Sequence, residues 1–186
     1  MKVSETDLPG VKLIEPQRFG DARGFFQEIW QERRYAEAGI PGRFVQDNVS
    51  LSRRGVLRGL HLQYPRSQGK LVYALQGEVF DVAVDLRVGS PHFGRWTGAV
   101  LSADTGRQLW IPEGFGHGFC VLSETALFAY KCTEFYEPAA ELAVLWNDPG
   151  IGIEWPIENP AVSAKDAAGL MLSAIDAGRL PTYEGL

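Results

Sequence analysis

Histidine, cysteine and methionine are scarce in this chain, at three, two and two of 186 residues. The two cysteines, Cys120 and Cys132, lie in apolar strand-like segments without metal-type spacing, which points to buried reduced thiols and away from a disulfide framework. A basic excess is also missing. Eighteen Lys and Arg against 23 Asp and Glu leave a net charge of -5, and affinity for a phosphate backbone needs a basic face, so no nucleic-acid partner is expected. No run is long and apolar enough to span a bilayer, and Met1 to Glu5 has no apolar leader core; the expectation is a cytoplasmic protein without a membrane partner. Repeats and low-complexity segments are absent too. The 21 glycines and 11 prolines are scattered as turn punctuation and not gathered into a linker, so residues 1–186 read as one unit long enough to bury a sizeable core.

What the chain does contain is a dense series of strand signals. Leu71 to Leu75, then Gln76-Gly77, then Glu78 to Leu86 reads as a hairpin, with β-branched and aromatic residues on both sides of a tight turn. That hairpin would set Val72 against Asp81 and Lys70 against Ala83, with Lys70 diagonally near Asp81 or Asp85. Further strands are expected at Trp96 to Leu101, Gln108 to Ile111, His117 to Leu122, Ala126 to Phe135 and Leu142 to Trp146. Helix signals are few and peripheral: Glu32 to Ala38, ending at Gly39, and Ala164 to Ala177, interrupted by Gly169. Many short strands with turns between them give an all-β sandwich or barrel with a few short helices.

Two glycine-led blocks carry histidines. One runs Gly55-Val-Leu-Arg-Gly-Leu-His61-Leu-Gln63 and on to Lys70 and Gly77; the other runs from Gly106 through Pro112 and Gly114 to His117. This spacing resembles the cupin superfamily, which implies a jelly-roll barrel, here with its core at about 44–148 and the N-terminal strands and C-terminal helical segment packed on it. Cupin metal sites use His-x-His and Glu in the first block and His in the second. Here Gln63 replaces the second His and Lys70 replaces the Glu. An ammonium repels a divalent cation and an amide is a poor transition-metal ligand, so no metal is expected and the pocket reads as adapted to metal-free chemistry.

The flanking residues narrow the resemblance. Asp21 to Glu28 (Asp-Ala-Arg-Gly-Phe-Phe-Gln-Glu), Gln46-Asp47-Asn48, Leu57-Arg58-Gly59-Leu60-His61, Ser90 to Trp96, Ile111 to His117, Tyr130-Lys131-Cys132, Glu154-Trp155-Pro156 and Ser163-Ala164-Lys165-Asp166 together resemble the dTDP-4-dehydrorhamnose 3,5-epimerase family over almost the whole chain. The resemblance implies conversion of dTDP-4-dehydro-6-deoxy-D-glucose to dTDP-4-dehydro-L-rhamnose with no cofactor. A ketone acidifies its neighbouring C–H bonds, so the reaction asks for a base, a group that stabilises the enolate oxygen and an acid on the opposite face.

One residue fits each role. His61 is the candidate base, since imidazole titrates near neutral pH, and the resemblance makes Asp166 its partner; by its own sequence Asp166 reads as a surface helix residue. Lys70 is the candidate for the enolate oxygen, against a plain strand-end lysine. Tyr130 is the candidate acid, with Tyr136 a second candidate nearby; otherwise Tyr130 is a buried structural tyrosine. His117 is expected to face the same cavity and bind substrate, whereas His92 reads as a surface-loop residue. For the substrate, the resemblance points to Arg23 and Arg58 at the diphosphate, to Gln46, Asn48 and Glu28 as hydrogen-bonding groups and to Phe26 as an apolar contact. Arg53, Arg54 and Arg58 by charge pattern alone read as a solvated charged face sooner than as a phosphate-binding cluster. The Arg23 segment of the family reaches into a neighbouring subunit, which implies a homodimer with composite sites. Competing readings are a related 4-keto-sugar epimerase that inverts one carbon, and a non-catalytic cupin that binds a sugar nucleotide.

Overall fold

The structure is a computed structural model, and it describes residues 1–40 and 42–183. The chain runs through β1 (Lys2–Glu5), β2 (Lys12–Glu15), β3 (Arg18–Asp21), β4 (Gly24–Gln27), α1 (Glu32–Glu37), β5 (Gln46–Arg53), β6 (Leu57–Gln63), β7 (Lys70–Gln76), β8 (Glu78–Asp85), β9 (Trp96–Ser102), β10 (Gln108–Ile111), β11 (Phe115–Val121), β12 (Thr125–Cys132), β13 (Glu141–Ala143) and α2 (Ala164–Ala167). Two antiparallel sheets face each other, in the orders β1-β2-β10-β7-β12-β5 and β13-β6-β11-β8-β9, while β3 and β4 form a separate hairpin. The all-β expectation holds.

The interior between the sheets is filled by side chains from both: Val72, Leu109, Ile111, Ala126 and Phe128 from one, and Val79, Ala83, Leu101, Phe115, Phe119 and Val121 from the other. Each sheet is also covered from outside. Tyr35 and Ile40 pack with Ile14, Leu71 and Trp110 over the first. Ile151, Ile175 and Leu180 of the C-terminal segment pack with Leu60, Leu62, Val82, Val84 and Leu86 over the second. Burial on both faces explains the near-continuous apolar runs of these strands, since neither face needs polar residues for water.

That double burial also overturns the expected hairpin. Gln76-Gly77 carries the chain from one sheet to the other, and β7 and β8 do not pair. Lys70 is opposite Ile111 and Cys132, and Val72 is opposite Leu109 and Tyr130; Asp81 is opposite Phe119 and Ala99, and Ala83 opposite His117 and Thr97. Gly77 has φ +74 and lies so close under the Thr125 carbonyl oxygen that a Cβ would collide with it, so this glycine serves a packed corner and not a free turn. Asp85 is bound by Arg87 at 2.7 Å and Ser90 at 2.6 Å, which takes it out of reach as a partner for Lys70.

The helices are shorter than their composition suggested. Helix α1 is capped by Gln31, whose side chain accepts from the Arg34 amide, and it gives way at Gly39, with φ +74, as expected. Helix α2 stops at Ala167, and two 3-10 turns at Leu172–Ala174 and Ala177–Arg179 replace the rest of the helix expected to Ala177. The reason is close packing: a Cβ on Gly169 would sit 2.9 Å from the Leu145 nitrogen, and Leu170 bridges to Val144 as a strand would. Strand β12 ends at Cys132 and β13 at Ala143, short of the expected Phe135 and Trp146.

Candidate active site

One end of the sandwich interior is polar. A cavity of about 350 Å³ opens there, lined by Gln46, Asn48 and Ser50 of β5, Arg58, His61, Leu62 and Gln63 of β6, Gln68, Lys70 of β7, His117 and Phe119 of β11, Tyr130 of β12, Tyr136 and Glu141. Strand alternation builds it. On β5, residues 46, 48 and 50 point inward while Val49 and Leu51 stay exposed at 61% and 65%, the period of two expected of a strand.

His61 and His117 are opposed in register on β6 and β11. Two glycines let those strands approach: Gly59, with φ +127, would place a Cβ 2.6 Å from the Gly118 Cα, and the pairing register shifts between His117 and Phe119. Each histidine holds a carboxylate. His61 Nε2 lies 2.7 Å from Asp166 Oδ1, and His117 Nε2 lies 2.8 Å from Asp81 Oδ2.

The 105-residue separation of His61 and Asp166 is closed by the C-terminal segment, which lays Ala161 against Val56 as a parallel bridge and starts α2 with Ser163 accepting from the Asp166 amide at 3.1 Å. Burial opposes charge on Asp166, but the hydrogen bond and charge of His61, with Ser163 and the Gly59 backbone, hold its carboxyl below the ordinary value. An ionised carboxylate only accepts, so Nε2 of His61 carries the hydrogen and the lone pair is left on Nδ1. The dyad thus presents an oriented imidazole, with Nδ1 as its free nitrogen, beside the cavity.

The second pair is different in character. Asp81 and His117 are both buried, and desolvation raises the Asp81 pKa and lowers that of His117, each toward its uncharged form. Desolvation also lowers the pKa of Lys70, against the pull of Cys132, Glu141 and Asp81. Lys70 and Asp81 thus feel each other's charge across the interior, from opposite sheets and not as hairpin partners. A divalent cation does not fit these donors: the lysine ammonium repels it, and the amide of Gln63 is spent on backbone groups at 2.6, 3.0 and 2.8 Å.

Tyr130 stands on the sheet opposite to His61, and burial raises its pKa, with Arg58 opposing. Tyr136 is at the cavity mouth, 49% exposed, and its hydroxyl donates to Glu141 at 2.6 Å. Arg58 donates from Nε and Nη2 to Ser52 Oγ at 3.1 and 3.0 Å, which fixes its guanidinium beside the cavity. Gln46 and Asn48 are joined at 3.0 Å.

Asp166 stands behind His61 and does not itself line the cavity, and three of the expected substrate-binding residues lie outside it. Arg23 is at the tip of the β3–β4 hairpin, its side chain 90% exposed and paired with Asp21 at 2.6 Å; Phe26 is 69% exposed, and Glu28 pairs with Arg34 at 2.8 Å. Conversely, the sequence reading did not single out Glu141, which lines the cavity and contacts both Tyr136 and Lys165. The signal available was an acid inside an apolar strand segment.

Residues 5–174 match the family model described as dTDP-4-dehydrorhamnose 3,5-epimerase. A Shigella flexneri protein of that name is 56% identical over 171 residues, covering 91% of this chain and 94% of its own. A Neisseria gonorrhoeae protein of the same name is 55% identical over 91% of this chain, and the chain spans about half of its length, 52%. The crystal structure of dTDP-6-deoxy-D-glucose-3,5-epimerase RmlC from Legionella pneumophila in complex with dTDP-4-keto-L-rhamnose is 54% identical, covers 99% of each chain and superposes with a TM-score of 0.97. The polar cavity with its His61–Asp166 dyad accordingly sits in a chain that belongs to the dTDP-4-dehydrorhamnose 3,5-epimerase family, whose members are isomerases.

Proposed function

We propose that the chain converts dTDP-4-dehydro-6-deoxy-D-glucose to dTDP-4-dehydro-L-rhamnose, using His61 as base and Tyr130 as acid. The observation that carries this reading is the placement of an oriented imidazole, 2.7 Å from Asp166, and a tyrosine on opposite sheets of one cavity. Nδ1 of His61 takes the proton from the carbon next to the ketone, and Asp166 stabilises the imidazolium that forms. The electron pair moves onto the former carbonyl oxygen, where the Lys70 ammonium offers a charge-assisted hydrogen bond. Tyr130 then delivers a proton to the other face, which inverts the carbon. Tyr130 suits this role better than Tyr136, because the Tyr136 phenol hydrogen is committed to Glu141. Repetition at the second flanking carbon gives the L-sugar, and no redox or metal group is needed because the ketone itself holds the charge.

Arg58, Gln46, Asn48, His117 and Tyr136 hold the substrate in this scheme, with the arginine on the diphosphate. Arg23, Phe26 and Glu28 act in the cavity of a second copy, in a homodimer. The exposure of Arg23 and Phe26 on a projecting hairpin supports this, together with Phe19 and Phe25 at 56% and 62% and the exposed Val49 and Leu51 of the edge strand β5. The free buried thiols of Cys120 and Cys132 suit a cytoplasmic enzyme, and no helix among the described residues is long and apolar enough to cross a membrane.

The direct test is incubation with dTDP-4-dehydro-6-deoxy-D-glucose in deuterated water followed by NMR. Deuterium should enter both carbons flanking the ketone and both should invert. Exchange or inversion at one carbon only would make the chain a one-carbon epimerase, and neither would reject the reading. The dimer is tested by mixing Arg23→Ala and His61→Ala subunits: activity should reappear in the mixed dimers, one site of which carries neither defect. No gain after confirmed subunit exchange would show self-contained sites.

A further inference from the structure

Gln63 occupies the position of a second cupin histidine, yet its side chain is turned to a different task. It is 4% exposed, and Nε2 donates to the Arg66 carbonyl at 2.6 Å and the Phe135 carbonyl at 3.0 Å. Oε1 accepts from the Glu137 amide at 2.8 Å. Two of these three partners flank Tyr136. Of the other ties on this loop, two are exposed, the Tyr136 amide donating to Gln46 Oε1 at 2.9 Å and Arg66 pairing with Glu134 at 3.0 Å, while Gln68 donates to the Glu134 carbonyl at 2.9 Å in a part-buried setting like that of Gln63.

We propose that Gln63 is a positioning residue that clamps residues 134–137, and with them Tyr136, at the mouth of the cavity. The chemistry demands an amide. Histidine has two ring nitrogens and cannot make two donor bonds and one acceptor bond together, while glutamate would set oxygens against two carbonyls. A buried amide meeting three backbone groups is also costly to disturb, because its own polar atoms would be left without partners inside the fold. The loop is therefore held rigidly only while residue 63 is Gln. The consequence for catalysis rests on the proposed function: Tyr136 contacts the bound substrate, so the clamp acts on substrate binding and leaves proton abstraction by His61 in place.

Gln63→Glu keeps the shape and removes both donors. KM should rise about tenfold, as for loss of a buried hydrogen-bond set, with kcat within about twofold. The rise should not add to that of Tyr136→Ala, since both changes remove the same placed ring. In the free protein, hydrogen exchange of the amides at 135–137 should accelerate in Gln63→Glu relative to the unaltered chain. That arm needs no substrate, so it judges the clamp even if the unaltered chain fails to turn over the sugar nucleotide, a result that would sink only the proposed activity. Gln63→Met keeps the length and apolar volume and should show the same pattern; it decides the matter if the Glu variant does not fold. Unchanged exchange at 135–137, a KM effect additive with Tyr136→Ala, or a fall in kcat at constant KM would overturn the proposal.

Discussion

Asp166→Asn isolates what the carboxylate does for His61. The side chain of Asp166 is 4% exposed, is held against His61 at 2.7 Å and belongs to a short helix capped by Ser163, so an isosteric amide should fit without moving the backbone. Asn can still accept from Nε2 of His61 but brings no negative charge to the imidazolium that forms on proton removal. A hydrogen bond to a charged group contributes about 1.5–3 kcal/mol, and about 1.4 kcal/mol is a factor of ten in rate. The expected fall in kcat is therefore between about tenfold and about 150-fold, with KM near that of the unaltered chain. If the amide turns its NH2 toward His61, the ring takes the opposite tautomer and the loss grows toward about 10⁴-fold. The assay is deuterium entry at the sugar carbons, followed by NMR at saturating substrate, with a thermal melt to show that the fold survives. A kcat within about twofold of the unaltered chain would refute the assignment of Asp166 as the group that orients and charges the base.

The same carboxylate makes an acid-dependent contribution to stability. Its folded pKa is lowered, so the contribution is present above the unfolded value of about 3.9 and is lost as pH falls through the folded value; the stability gap between the unaltered chain and Asp166→Asn should close under acid titration below about pH 3.9, and a gap that widened there would reverse the sign. Tyr130→Phe keeps the ring and its packing, so deuterium should still enter through His61 while L-sugar formation falls sharply; normal L-sugar formation would transfer the acid role to another group. Cys120, whose thiol is pushed up to about 11 by burial, and Cys132, raised by burial as well, should not react with a thiol reagent at pH 8 until the chain is unfolded, and titration of either in the native protein would show a more open interior.

Local chemistry made part of this molecule legible without coordinates. Strand β10 was read to the residue, and α1 followed from helix formers bounded by Gly39, because turn and cap preferences act within a few residues. His61, Lys70 and His117 were placed in one pocket by block spacing, and the departure at Gln63 and Lys70 was legible as a loss of cation ligands, since side-chain type alone sets donor character. Partner choice is another matter. Strands β7 and β8 are apolar on both faces, so no alternation marked which sheet each joins, and the neighbouring Gln76-Gly77 read as a hairpin turn when it is a corner between sheets.

The site itself shows the same division. The sequence by itself determined which groups are available: two imidazoles, an ammonium, phenols, carboxylates and amides. Only the tertiary structure decided their use. Asp166 meets His61 because a C-terminal segment packs on β6, Glu141 joins the cavity because β13 pairs with β6, and Gln63 faces a loop because residues 134–137 fold over it. These are contacts between residues far apart along the chain, formed where packing against other elements offsets the entropy of closing long loops. No window of neighbouring residues contains that balance.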